Sequence, residues 1–395
     1  MSSVLHDSGE HHFLGGNRLA LLESGAEYFP ALIAAIDAAR HEVHLETYIF
    51  ADDSTGRRVA AALGRAAQRG VAVRVLVDGF GAREFGAGLG ASLTAQGAEV
   101  MTYRPEVGNF RFRRHRLRRL HRKLVVVDGR TAFVGGINVL DDFDNGREAS
   151  PRFDYAVSVE GPLAARVHAS CRHVWRLVRW ARLGRRPRPP APLPAAPRDC
   201  GATLAALLVR DNLRHRRDIE NAYLRAIHRA RHEIVIANAY FLPGLNFRKA
   251  LLAAAKRGVS VKLLLQGRVE YVLQHFATQS LYERMLSAGV RVFEYETGFL
   301  HAKVAVIDGH WATVGSSNLD PFSFLLSREA NVVVRDAAFA GELRASLELA
   351  ITGAAREIRG EDIRRRSWLA RLAAAAAYSL VRILVGVTRY AGKQQ

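Results

Sequence analysis

The feature that most constrains this chain is that it contains itself twice. Arg40-His41-Glu42-Val43 returns as Arg231-His232-Glu233-Ile234, and Arg69-Gly70-Val71-Ala72-Val73 returns as Arg257-Gly258-Val259-Ser260-Val261. His121-Arg122-Lys123, its apolar run and Asp128-Gly129 return as His301-Ala302-Lys303 with Asp308-Gly309. The order is the same in both copies, so the chain is a duplication and each copy must fold in the same way. Its 395 residues also exceed what one hydrophobic core usually serves, which agrees with two domains.

Each copy alternates helical and strand patterns. The first gives a helix over 30–40, a strand over 43–50, a helix over 57–69 ending at Gly70, and a buried strand over 71–77. The second gives helices over 219–231 and 246–257, with strands over 234–240 and 259–265. That alternation predicts the α/β class, with helices covering a sheet. Half of the 12 prolines fall within 183–200, which reads as a stiff extended linker. The expected division is a first domain over 1–182, the linker over 183–200, a second domain over 201–360 and a tail over 361–395.

The chemistry lies in the repeated H-x-K-x4-D. His121 and Lys123 are two apart on a strand, as are His301 and Lys303, so each pair leaves one face together. An imidazole beside an ammonium suits a phosphate: the Lys neutralises oxygens while the His attacks phosphorus or moves a proton. Two facing copies would bracket one phosphate with two cations and two imidazoles, and preorganised charge would stabilise the transition state with no need for a metal. Both copies continue into matched small-residue turns, Gly135, Gly136 and Asn138 in one and Gly315, Ser316, Ser317 and Asn318 in the other.

These paired motifs resemble the phospholipase D superfamily over nearly the whole chain. Val-Gly-Gly-Ile-Asn at 134–138 and the run from His310 to Pro321 are similar to bacterial cardiolipin synthases, the B subtype in particular. The resemblance implies two tandem domains forming a pseudo-dimer with one shared active site, and metal-independent transfer through phosphohistidine. It assigns catalysis to His121, Lys123, Asp128, His301, Lys303 and Asp308, and phosphate or site contacts to Asn138, Asn318 and Ser316. Asp154 and Glu329 fall where such proteins place an acid behind each histidine. His121 is then the nucleophile and His301 the acid/base, although the near-symmetric motifs leave the direction open. The implied reaction joins two phosphatidylglycerols into cardiolipin and glycerol with no cofactor; a phospholipase or nuclease with water as acceptor would need the same residues.

The remaining features concern partners. A hydrophobic content of 49% with 24% charged residues fits a globular protein, and the net charge of +19 calls for an anionic partner. Cys171 and Cys200 are the only cysteines, which excludes a disulfide framework and points to a reducing compartment. His41-Glu42-Val43-His44 is one residue short of a zinc-helix spacing and enters a strand, so it reads as a junction. Glu46, on that strand, reads as an ordinary core or surface residue. Residues 110–120 interleave six arginines with Phe110, Phe112, Leu117 and Leu120 just before His121, a pattern suited to phospholipid headgroups. It would also suit nucleic acid, a partner the intact catalytic motifs argue against. The tail from Arg364 places Arg371, Arg382, Arg389 and Lys393 along one stripe of an otherwise apolar helix, which reads as lying in a membrane interface. With no secretion signal and no apolar span of about 20 residues, the expectation is a peripheral protein on the cytoplasmic face of a bacterial membrane. Self-association is not legible.

Overall fold

Each copy builds a β-sheet, and the two sheets join edge to edge. The structure, a computed structural model, describes residues 13–105, 118–143, 150–183, 199–211, 215–269, 271–320 and 327–365, with 374, 376, 377, 379 and 380 of the tail. The first half contributes β1 (Leu14–Glu23), β2 (Glu42–Thr47), β3 (Ala72–Asp78), β4 (Glu99–Tyr103), β5 (Arg119–Leu120), β6 (Lys123–Val127), β7 (Thr131–Gly135) and β8 (Tyr155–Glu160). The second contributes β9 (Thr203–Arg210), β10 (Glu233–Asn238), β11 (Ser260–Gln266), β12 (Arg291–Tyr295), β13 (Lys303–Ile307), β14 (Trp311–Gly315), β15 (Ser327–Arg335) and β16 (Ala355–Ile358).

The strand order is β16-β12-β11-β10-β13-β14-β15-β9-β1-β8-β7-β6-β2-β3-β4. Outward from the β9–β1 seam both halves follow the same sequence of strands, so the duplication becomes a pseudo-twofold. The α/β class expected from the alternating patterns is what forms. Within each half, β2-β3-β4 and β10-β11-β12 are parallel, while the catalytic-motif strands β6 and β13 run antiparallel to β2 and β10.

The seam is narrow and pinned by one buried side chain. Asn17 donates to Leu14 O at 2.6 Å and across the seam to Thr203 O at 3.2 Å, and it accepts from the Leu163 amide at 2.8 Å. Below the seam lies a core that belongs to neither half alone. Leu124, Val126 and Val134 share it with Val304, Val314 and Val332, and the helices Pro162–Leu183 and Ala337–Ala354 add Val167 and Leu343. Two outer cores sit beneath each half's own helices, one around Leu45, Leu63 and Val75, the other around Ile236, Leu251 and Leu263.

Most element boundaries fall within a few residues of those read from the sequence; the first helix does not. It spans Ser24–Asp37 with Pro30 inside it. Proline favours a first helical position, which draws a sequence reading to start there. The observed start is instead fixed a turn and a half earlier, where the Glu27 carboxylate accepts from the Glu23 amide at 2.7 Å and Ser24 N donates to Asp154 O at 2.7 Å. Strand β2 ends at Thr47, short of Phe50, because the chain turns there: Thr47 Oγ1 donates to Ile49 O and Ile49 N donates to Asn138 Oδ1.

Residues 110–117 of the arginine-rich stretch, residues 184–198 of the linker expected over 183–200, and most of the tail lie outside the described residues. Two described tail residues pack on the protein: Ile363 joins the second outer core, and Ala377 meets Leu242, Ala277 and Leu281. Among the described residues no helix is long and apolar enough to cross a membrane.

Candidate active site

Strand period places the first functional side chains. Lys123 opens β6 and His121 lies two residues before it, so both project from one face while Arg122 between them projects from the other. Arg122 is buried there against Glu46, Nε to Oε2 at 2.7 Å, and also reaches Ser170 Oγ at 3.0 Å. Glu46 is thus a core ion-pair partner on the face away from the catalytic pair. Lys123 and Lys303 each donate their ammonium to the carbonyl of the histidine two residues earlier, Lys123 at 2.7 Å.

The two halves then cross over. His121 Nδ1 meets Glu329 Oε2 at 3.1 Å, and His301 Nδ1 meets Asp154 Oδ2 at 2.6 Å. Each histidine is therefore buttressed by the acid of the opposite half. Backbone pairing enforces the exchange: β5 pairs with β15, and His121 N donates to Arg328 O at 3.0 Å. Its counterpart is the Phe153–Leu300 bridge, where His301 N donates to Phe153 O at 2.8 Å. An Nδ1–H held by a carboxylate leaves Nε2 of each ring for substrate. His121 keeps 15% of its side chain exposed and His301 9%, while Glu329 is fully buried.

Burial and charge set the protonation. Burial, then Lys303, Arg152 and Lys123, hold His301 well below the ordinary imidazole value. Burial also depresses His121, with Lys123 and Lys303 adding to it and Glu329 opposing it. Lys123 is brought down to about 7 by burial and by Lys303. Burial pushes Asp154 up to about 6, against the pull of Lys303. For Glu329 burial also acts upward, but His121, Lys123 and the Ser316 hydroxyl together bring it below the usual carboxylate range.

The turns after each motif shape the floor. Ser316 Oγ donates to Glu329 Oε2 at 2.5 Å. Its counterpart in sequence is Gly136, where a Cβ would lie 2.3 Å from Asp154 Oδ1, so only glycine leaves room for that acid. Asn138 and Asn318 are buried beside these turns; Asn138 accepts from the Ile49 amide.

The last residues of the sequence motif are a correction. Asp128 and Asp308 lie at the opposite ends of β6 and β13, roughly 17 Å from the paired Lys by strand rise, and do not reach the site. Asp128 accepts from the amides of Arg40, His41 and Glu42, at 2.7–2.9 Å, and Asp308 does the same for Arg231, His232 and Glu233 at 2.8–2.9 Å. Both have positive φ, near 50°. They staple the helix-to-strand junction at the far edge.

Among the described residues one cluster has ligand atoms close enough together for a metal. Glu42, His44 and His168 bring their ligand atoms within 4.8 Å of one another. The Arg74 guanidinium already fills that position, 2.8 Å from Glu42 Oε2 and 3.3 Å from His44 Nε2. A metal ion would have to displace that guanidinium from the carboxylate it pairs with, so the arrangement reads as an ion-paired cluster.

Comparison with known proteins agrees with this geometry. The family described as "Cardiolipin synthase, PLD-like domain" matches residues 32–147 and 223–350. Cardiolipin synthase B of Escherichia coli K12 is 39% identical over 363 residues, covering 89% of this chain and 85% of its own. The chain belongs to the cardiolipin synthase family of the phospholipase D superfamily. Cardiolipin synthase A of Pseudomonas putida is 34% identical across 89% of this chain and 71% of its own. Among solved structures, the phosphatidylserine synthase of Haemophilus influenzae Rd KW20 superposes with a TM-score of 0.69 at 14% identity, covering 95% of this chain and 97% of that one. The polyphosphate kinase of Porphyromonas gingivalis gives 0.58 at 19%, over 94% of this chain and 53% of its own. At those identities the two structures show a common fold alone.

Within this cardiolipin synthase fold, two site residues carry no motif signal. Tyr48 lies with its ring centroid 5.0 Å from that of His121 and 5.5 Å from Lys123 Nζ. Arg152 adds a cation near His301, its guanidinium 4.6 Å from the Phe299 ring. Gly136 was visible only as half of a matched turn. The signal that could have found it is the Gly/Ser exchange between copies, which mirrors the Asp/Glu exchange of the acids.

Proposed function

We propose that the chain is a phosphatidyltransferase that makes cardiolipin from two molecules of phosphatidylglycerol. The observation that carries this reading is the crossed pair of His–acid couples with two lysines between them, a site that only both halves together complete. His121 Nε2 attacks the phosphorus of the first phosphatidylglycerol. The P–O bond to the glycerol headgroup breaks, and that oxygen takes the proton on His301 Nε2, releasing glycerol. A hydroxyl of the second phosphatidylglycerol then gives its proton to His301 and attacks the phosphohistidine, freeing His121 as cardiolipin forms. Bonds and protons balance with no further reactant.

The assignment of His121 as nucleophile rests on Glu329, which stays ionised and so holds Nδ1–H and leaves Nε2 basic. His301 must enter protonated, although burial and Lys303 depress it in the empty site. A phosphate anion between the ammonium groups supplies the compensating charge. Asn138, Asn318 and Ser316 border the pocket for that phosphate. Glycerophospholipid substrates and a net charge of +19 support a peripheral location at an anionic membrane surface, on this reading the cytoplasmic face of a bacterial membrane.

The test is product analysis from phosphatidylglycerol labelled in its phosphate. Cardiolipin with free glycerol is expected; phosphatidic acid alone would mean that water is the acceptor. His121→Ala should abolish both product and a covalent phosphoenzyme. His301→Ala should still form the phosphoenzyme from a p-nitrophenyl phosphodiester, whose leaving group needs no proton. The opposite pattern would exchange the two roles.

A further inference from the structure

The search outside the catalytic centre leads to the distribution of exposed apolar side chains. Strands β2, β3, β10 and β11 all end at the edge where β6 and β13 begin, because Glu46 pairs with Leu124 and Asn238 with Lys303. That edge carries His121 and His301. Of the large apolar side chains exposed among the described residues, Phe80, Leu245, Val269, Tyr271, Val272 and Leu273 lie on the segments that leave the ends of β3, β10 and β11 there. Phe80 follows β3, Val269, Tyr271 and Val272 follow β11, and Leu245 starts the helix after β10; the last four are 54–61% exposed. Trp180, 53% exposed, ends the helix Pro162–Leu183, whose Val174 and Trp175 pack beside Tyr103 and Leu120. Scattered exposed apolar residues are ordinary; this concentration on one edge is not.

The same edge is cationic. Arg83 and Arg119 flank the Phe80 ring at 4.4 and 4.8 Å, and Arg268 is exposed beside Val269. Arg176 and Arg182 are exposed around Trp180. The loop after β11 is tied to the site: the Tyr271 ring is 5.7 Å from that of Tyr240, and the neighbouring Ala239 amide donates to Ala302 O, between His301 and Lys303. Apolar side chains ringed by arginines match an anionic bilayer, with acyl chains below and phosphates at the level of the guanidiniums.

We infer that the catalytic edge is the face that docks on an anionic bilayer, with Val269 and Val272 entering the acyl region. This deepens the lipid-transfer reading and rests on it for the partner's identity. Docking in this orientation sets the two histidines over the headgroups, so a phosphatidylglycerol reaches His121 without leaving the membrane.

The experiment measures partition of the full chain onto phosphatidylglycerol/phosphatidylcholine vesicles for three forms. The double variant Val269→Asp/Val272→Asp should lose at least about tenfold in partition, since two charges must be kept out of the acyl layer. Leu349→Asp, 72% exposed on the helix Ala337–Ala354 and not on the segments that follow β3, β10 and β11, should bind as wild type. All three should turn over water-soluble dihexanoyl phosphatidylglycerol equally, which shows that the site is intact. Wild-type binding by the double variant, or an equal loss in Leu349→Asp, would overturn the inference. If no form acts on either lipid while partition follows the expected order, lipid transfer fails as the activity and the docking face stands.

Discussion

At the scale of single residues the site is a balance between burial and charge, and each acid has a distinct task. Glu329 and Asp154 hold the Nδ1 atoms at 3.1 and 2.6 Å. Replacing Glu329 by Gln keeps the shape but removes the charge that selects the tautomer, so kcat should fall by roughly 10²–10⁴ with little change in thermal stability. Steady-state kinetics beside a melting curve checks this. Lys123, at about 7, is charged below that pH and neutral above it. In the free enzyme kcat/KM should therefore decline as pH rises through about 7, and Lys123→Arg, permanently charged, should move that limb upward in a pH–rate profile. Asp128 behaves oppositely to both. Its bonds to three backbone amides predict that Asp128→Ala costs about 2–4 kcal/mol of stability by denaturant titration, while kcat per folded molecule holds. The repeated motif made His121, Lys123, His301 and Lys303 legible because strand period alone puts residues two apart on one face. Asp128 and Asp308, which the resemblance assigned to catalysis, stand away from the site because a motif does not reveal which end of a strand faces the reaction.

At the scale of elements, the crossing of acids between halves was not legible at all. It depends on β5 pairing with β15 and on the Phe153–Leu300 bridge, contacts between segments more than a hundred residues apart that no local pattern encodes. Asp154 sits just before β8, whereas Glu329 is the third residue of β15, and the longer Glu329 side chain is met by Ser316 where Asp154 is met by bare Gly136. The turn and the acid therefore form one unit. Gly136→Ala would put a methyl 2.3 Å from Asp154 Oδ1, and the acid must move. The expected result is about 1–3 kcal/mol of destabilisation with a larger fractional loss in kcat than in KM, because His301 loses its orientation. A variant with full activity would show that His301 does not depend on Asp154. The alternating helices and strands of each half, by contrast, were read directly from hydrophobic period, since those elements are set by residues near one another in the chain.

At the scale of the whole molecule, the duplication has been fused past the point of separate domains. Two repeats joined by a linker would be expected to unfold independently if each kept its own core. Here the outer cores belong to the halves, but the central one draws Leu124 and Val134 from the first and Val304 and Val332 from the second. Phe153 and Leu300, which carry one of the crossings, and Ala302 beside His301 belong to that core, so its integrity and the crossed His–acid couples are linked. Leu163, almost wholly buried in the central core, lies in the first half and receives its backbone contact from Asn17 at the seam. Leu163→Ala should cost about 2–5 kcal/mol. Because the cavity opens in a layer both halves use, the loss should not stay in the first half. Hydrogen exchange followed by mass spectrometry should show peptides of β13 and β14 accelerating as much as those of β6 and β7, within a single cooperative transition. Acceleration confined to the first-half peptides would mean that the halves unfold separately, and that the shared site is assembled by docking of two independent domains.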